Sequence, residues 1–112
     1  MGNVPIDKIL QIPEFQRVKK VMETDNVLAY YHTKPHWETH IVVVPKKHVD
    51  SLLTIKDNFL IIELIETIQK VASIVNKGKD ECGVLTNLGN FQDSKHLHFH
   101  IYAGKETNQK ID

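Results

Sequence analysis

The stretch His96-Leu97-His98-Phe99-His100-Ile101-Tyr102 decides how the rest of the chain is read. Histidine and apolar residues alternate through it. Successive side chains of a β-strand point to opposite faces. The pattern therefore predicts a strand over 96–103 that closes the sheet, with Leu97, Phe99 and Ile101 on a core face and three imidazoles on the other. Neighbouring imidazoles are then roughly 6–7 Å apart along the strand. With the apolar members turned to the core, the histidines are expected to line a cleft, where such a row suits a phosphate or a metal ion.

Working outward, Gly83-Val84-Leu85-Thr86-Asn87 reads as a neighbouring strand, joined to the first by a tight polar connection over 89–95. Upstream of it the period changes. Ile61, Leu64, Ile65, Ile68, Val71, Ala72 and Val75 recur at three- and four-residue steps, which predicts an amphipathic helix. Asp57 or Asn58 supplies its N-cap and Gly78 its stop. Leu60 and Ile62 widen the apolar face beyond what one sheet contact needs, which points to burial by a second subunit. Thr39-His40-Ile41-Val42-Val43-Val44 is β-branched almost throughout and closed by Pro45; its unbroken apolar run predicts a central strand buried on both faces. Val27 to Tyr31 is a further strand, and Arg17 to Glu23 an outer one, with turn chemistry at Thr24-Asp25-Asn26 between them. Residues 33–38 form a loop, because the residue before Pro35 is pushed out of helical geometry, and His36 within it is expected at the surface. Residues 1–16 are an N-terminal arm with a short helix over 6–10, and residues 105–112 a flexible polar tail. Residues 1–112 thus read as one α+β domain, a five-stranded antiparallel sheet with one long helix on one face.

The chain has 112 residues, enough for a single core. Fourteen basic and fourteen acidic residues are interspersed and cancel, which argues against non-specific nucleic-acid or membrane binding. No apolar run spans a bilayer and no signal segment is evident at the start, so the expected compartment is the cytoplasm. The one cysteine, Cys82, rules out an intrachain disulfide framework and a paired-cysteine zinc ribbon.

Two chemistries fit the histidine run. Imidazoles at i and i+2 can share a zinc ion, although no Cys, Asp or Glu lies inside the run. Alternatively, a neutral imidazole is a good nucleophile toward phosphorus, while its neighbours hold phosphate oxygens and protonate a leaving group. That second chemistry needs three or four such groups in one place. His40 is a fourth, a polar residue ahead of four apolar ones.

The run matches the signature of the histidine triad (HIT) superfamily, His-φ-His-φ-His-φ-φ with φ apolar. The segments around Glu23, Val27-Leu28-Ala29 and Thr39 to His48 resemble the family's first half, in order and at similar spacing. The resemblance covers roughly residues 20–103. It implies a homodimer joined into one continuous sheet, acting on the α-phosphate of a nucleotide. His98 would be the nucleophile, forming a nucleotidyl-imidazole that water cleaves to release a nucleoside monophosphate. His100 would hold the phosphate, the carbonyl of His96 would orient His98, and His40 would complete the constellation. Leaving groups would be an amine, as in nucleoside phosphoramidates, or a phosphate, as in dinucleoside polyphosphates. His32 and Thr33 stand where the family grips the ribose, Asn87 where purine-nucleoside members keep an asparagine, and Gln92, Asp93 and Ser94 around the phosphate and leaving group. No metal or other cofactor is implied. The alternative is a non-catalytic purine-nucleotide-binding module.

Overall fold

β-branched residues from Ile41 to Val44 can satisfy their backbone only if strands flank them on both sides, and that is where they lie. A computed structural model describes residues 18–77 and 80–107 of the chain. Its elements are β1 (Lys20–Glu23), β2 (Val27–Tyr31), β3 (Trp37–Pro45), α1 (Asn58–Asn76), β4 (Gly83–Leu85), one 3-10 turn (Gly89–Phe91) and β5 (Phe99–Glu106). The sheet order is β1-β2-β3-β5-β4, every neighbouring pair antiparallel. The expected N-terminal arm with its helix over 6–10, the stop at Gly78 and the tail beyond 107 lie outside the described residues. No described helix is long and apolar enough to cross a membrane.

Two expectations for the last strand are corrected. It does not close the sheet: β5 is inserted between β3 and β4. It also begins at Phe99, three residues later than the alternation predicts, and runs on to Glu106. The late start has a hydrogen-bonding cause. Leu97 N–H donates to Val49 O at 2.6 Å, so this segment is tied to the loop after β3 and not to a ladder. The late end and the early start of β3 are one event, since Trp37 pairs with Glu106 across a register shift. Lys105 N–H donates to the Glu38 carboxylate at 2.9 Å, and Thr107 donates to the carbonyls of His36 and Pro35 at 2.7 and 2.8 Å. Residues 105–107 are therefore pinned, where a flexible tail was expected.

Period two divides the sheet. Val27, Ala29, Ile41, Val43, Leu97, Phe99, Ile101 and Ala103 pack with Leu60, Leu64, Ile68, Val71 and Val75 of α1 in one core. Each such aliphatic side chain contributes about 1.5–3 kcal/mol when fully buried. On the opposite face Val18, Leu28, Tyr30, Val42 and Val44 form a smaller cluster. α1 starts where Asp57 accepts from Leu60 N–H at 3.2 Å, an N-cap worth about 1 kcal/mol. Glu63, one turn on, clips the helix to the β1–β2 turn by accepting from Thr24 Oγ1 and from both the backbone N–H and side-chain amide of Asn26. Those donors hold its carboxyl below the usual glutamate range, the Thr24 hydroxyl first.

Candidate active site

The face of the sheet away from α1 carries the histidines. Register places His40 opposite Tyr102 and Val42 opposite His100, so β3 and β5 present these side chains side by side. All seven histidines of the chain are linked by ring contacts or, for His96 and His98, by a hydrogen bond. They are not the open row that was expected: His96, His98 and His100 are 0%, 3% and 0% exposed. Nor is His36 at the surface; it is 2% exposed, packed against the rings of His32 and His40.

The hydrogen-bond partners assign a proton to each ring, because a carbonyl can only accept and a backbone N–H can only donate. His98 Nδ1 lies 2.9 Å from the carbonyl of its neighbour but one, His96. Nδ1 therefore carries the proton and Nε2 the lone pair. Thr86 Oγ1 donates to the His98 carbonyl at 2.7 Å and fixes the same stretch of backbone from β4's side. The His96 ring is fully engaged elsewhere. Its Nε2–H donates to Pro45 O at 2.7 Å and its Nδ1 accepts from Val49 N–H at 3.2 Å, bolting the end of β3 to the approach to β5.

His40 has the opposite polarity to His98. Its Nδ1 accepts from His36 N–H at 3.0 Å, so Nε2 carries the proton and donates to His100 Nδ1 at 2.8 Å. In the neutral network, His100 in turn bears its proton on Nε2. One ring of the His98–His100 pair, whose centroids are 4.9 Å apart, thus offers a lone pair and the other an N–H. Around them Trp37 meets His40 edge-on at 5.1 Å and stacks on Tyr102 at 4.0 Å. Gly83, opposite Tyr102, leaves room for that phenol; a Cβ there would collide with its ring.

His32, His40 and His100 bring ligand atoms within 4.8 Å of one another, close enough to pose the metal question. The donor polarity answers it. His32 Nδ1 accepts from Lys34 N–H at 2.9 Å, as His40 Nδ1 does from His36. A neutral imidazole has one lone pair, and in both rings a backbone amide uses it, leaving a proton where a metal would bind. Ligation through Nε2 would set an Nδ1–H against each amide. The group does not fit a metal cage; His40 and His100 share a hydrogen bond, and His32 stacks on His40.

The other expected site residues are spread along the flanking loops. His32 is brought in, stacked on His40 at 4.4 Å, whereas Thr33 beside it is exposed. Gln92 is buried, and its amide donates to Asp50 O at 2.7 Å. Asp93 is exposed, while Asn87 and Ser94 are half-buried. Cys82 is partly buried, and burial pushes its thiol up, away from nucleophilic use. Sequence reasoning missed three contributors: the His36 amide, the Pro45 carbonyl with the Val49 amide, and Thr86. Backbone groups carry no sequence signal, and Thr86 reads as an ordinary strand residue.

Comparison with known proteins agrees with this architecture. A histidine triad protein from Clostridium difficile is similar in structure, with a TM-score of 0.74, 36% identity, and 94% of this chain and 93% of that chain covered. A HIT family hydrolase from Legionella pneumophila Philadelphia 1 gives 0.74 at 26% identity, covering 88% of this chain and 90% of that one. An adenosine 5'-monophosphoramidase of Candida albicans is 29% identical over 103 residues, 86% of this chain and 65% of the relative. The HIT domain family model matches residues 14–107, and with the triad and the five-stranded antiparallel sheet in agreement, the chain belongs to the HIT domain family.

Proposed function

We propose that the chain is a cytoplasmic, homodimeric hydrolase that cleaves nucleotides at the α-phosphorus through a covalent nucleotidyl-histidine. The observation that carries this reading is the Nδ1–H of His98 held on the His96 carbonyl, which leaves the Nε2 lone pair as the ring's basic atom. An imidazole so fixed has its nucleophilic atom pre-aimed and its proton parked on a group that cannot take it. His98 Nε2 attacks phosphorus as the bond to the leaving group breaks, and the leaving group takes a proton from solvent, one that the attacking water of the second step gives back. His100 donates to a phosphate oxygen through Nε2–H, stabilising charge that grows in the transition state. Water then attacks phosphorus, the N–P bond breaks, and nucleoside monophosphate leaves. We favour an amine leaving group, as in a nucleoside phosphoramidate, over the phosphate of a dinucleoside polyphosphate, because a relative is named a monophosphoramidase. Asn87, Gln92, Asp93, Ser94, His32 and Thr33 are the proposed substrate contacts; Gln92, its amide held by Asp50, contributes through the loop it braces.

Dimerisation has its own support. Phe59, Ile62, Ile65 and Ile74 of α1 are exposed, Phe59 at 86%. Ile61, Leu64 and Ile65 line an apolar cavity of about 250 Å³ with Leu52, Ile55, Leu97 and Phe99. A second copy of the chain would cover this face and continue the sheet at edge strand β4. Ile65→Lys is expected to shift the protein to monomer in sedimentation; an unchanged dimer, or a monomeric parent, would remove this part of the proposal.

The reading is tested with a panel of nucleoside phosphoramidates and dinucleoside polyphosphates, products read by mass spectrometry. Release of nucleoside monophosphate supports it. Nucleotide binding with no turnover above background would make the chain a binding module.

A further inference from the structure

We infer that the backbone amide of His36 is a positioning element for the reaction: by fixing the His40 tautomer it obliges His100 to bear its proton on Nε2, so that a donor stands beside the His98 lone pair. The argument begins with one hydrogen bond of known direction. His36 N–H can only donate, so His40 Nδ1 must accept at 3.0 Å. The remaining nitrogen of His40 then carries a proton and lies 2.8 Å from His100 Nδ1, which must accept in turn. Each step inverts the one before it. An amide on the β2–β3 loop thereby sets the proton on a ring in β5, some sixty residues along the chain.

The loop is held as such a device requires. His32 N–H donates to His40 O at 2.9 Å on one side. Thr107 takes both loop carbonyls on the other, its N–H on His36 and its hydroxyl on Pro35. Stacking of His32 on one face of His40 and the edge of Trp37 near it limit that ring's rotation. The counterpart at His98 is a carbonyl, that of His96. Two backbone groups of opposite polarity thus give two adjacent imidazoles opposite roles. Had both been carbonyls, His40 would offer Nε2 as a lone pair and His100 would hold its proton against it, leaving two lone pairs facing an anionic phosphate.

The catalytic meaning of this relay rests on the proposed hydrolase reading, but the tautomers do not, so the two are tested separately. Long-range ¹⁵N–¹H correlation spectra of the full chain without substrate report which nitrogen of His100 is protonated. Nε2–H is expected in the parent protein; Nδ1–H would overturn the inference. Two nearly isosteric substitutions then set the polarity by chemistry. In His40→Gln the side-chain amide can still donate to His100 Nδ1, so Nε2–H is expected to persist. In His40→Glu the carboxylate can only accept, so the proton is expected to move to Nδ1. Turnover by the Glu variant should fall at least about a hundredfold below the Gln variant, the scale of one lost transition-state donor. Equal rates in the two would overturn the catalytic role. His36→Pro removes the amide proton while His36→Ala keeps it. Only the proline variant is expected to show mixed His100 tautomers; a single Nε2–H form there would show that the amide sets nothing. Should the tautomers behave as expected while no nucleotide is turned over, the hydrolase reading falls and the relay stands.

Discussion

From His96 to Ile101 the backbone sends alternate side chains to two environments. Leu97, Phe99 and Ile101 join the core under α1. His96, His98 and His100 enter a network of hydrogen-bonded and stacked rings on the other face. Both sets are buried to a similar degree, so burial does not separate their roles. What differs is the kind of contact. On the helix side, interactions are apolar and non-directional, so loss is measured in stability. On the histidine side the nitrogens that hydrogen-bond do so with partners of defined polarity, and loss is measured in chemistry. Period two therefore divides a single segment into a scaffold and a site.

The largest expected effect is at His98. His98→Ala should lower turnover at least about a thousandfold, as removal of a nucleophile does elsewhere, while the melting temperature stays near that of the parent protein. A steady-state assay with a thermal melt checks both; a large fall in stability would place His98 with the scaffold. Ile101→Ala is the reciprocal change on the other side. It should cost about 2–5 kcal/mol in denaturant unfolding, with turnover per folded molecule retained.

His96 sharpens the division, since it sits on the histidine face but bolts two segments together through Pro45 O and Val49 N–H. His96→Ala should destabilise by about 2–4 kcal/mol, the cost of a buried cavity and two orphaned backbone groups, and any loss of turnover should follow from the displaced carbonyl. Unfolding with unaltered midpoint would show that the ring is not a brace.

The smallest effect is remote from both faces, at the Glu63 clip. Its carboxyl is lowered in the folded chain by hydrogen bonds from Thr24 and Asn26. It therefore contributes stability above the ordinary glutamate value near 4.3, and that contribution is lost as pH falls from there through the lowered native value. Glu63→Gln should cost about 1 kcal/mol at neutral pH and flatten this acid limb. An unchanged pH–stability curve would show the clip to be idle.

Much of this was available to a reader of the sequence, for physical reasons that differ by element. Val27–Tyr31 comes out as read, and of the two candidates Asp57 and Asn58 it is Asp57 that caps the helix, because local chemistry decides both features. The β-branched run from Ile41 to Val44 was read as central and buried on both faces, and it is. Strand ends were not readable where they depend on a partner: Trp37 and Glu106 each extend a strand only because the other does. The late start of β5 depends on Val49, a loop residue with no pairing signal. At the site, the alternation gave the residues but not their proton positions. Those are set by the His36 amide and the His96 carbonyl, and backbone atoms are the same at every position in a sequence. His36 itself was expected at the surface because loop composition says nothing of the rings that fold over it.

The most direct test is to mix the protein with a nucleoside phosphoramidate, quench in denaturant at a pH that preserves phosphoimidazoles, and measure intact and peptide masses. The account expects one nucleotidyl group per chain in the quenched population, located on His98 and absent from His98→Ala. Turnover with the label on another residue, or release of monophosphate with no nucleotide attached at any quench time, would mean that His98 is not the nucleophile.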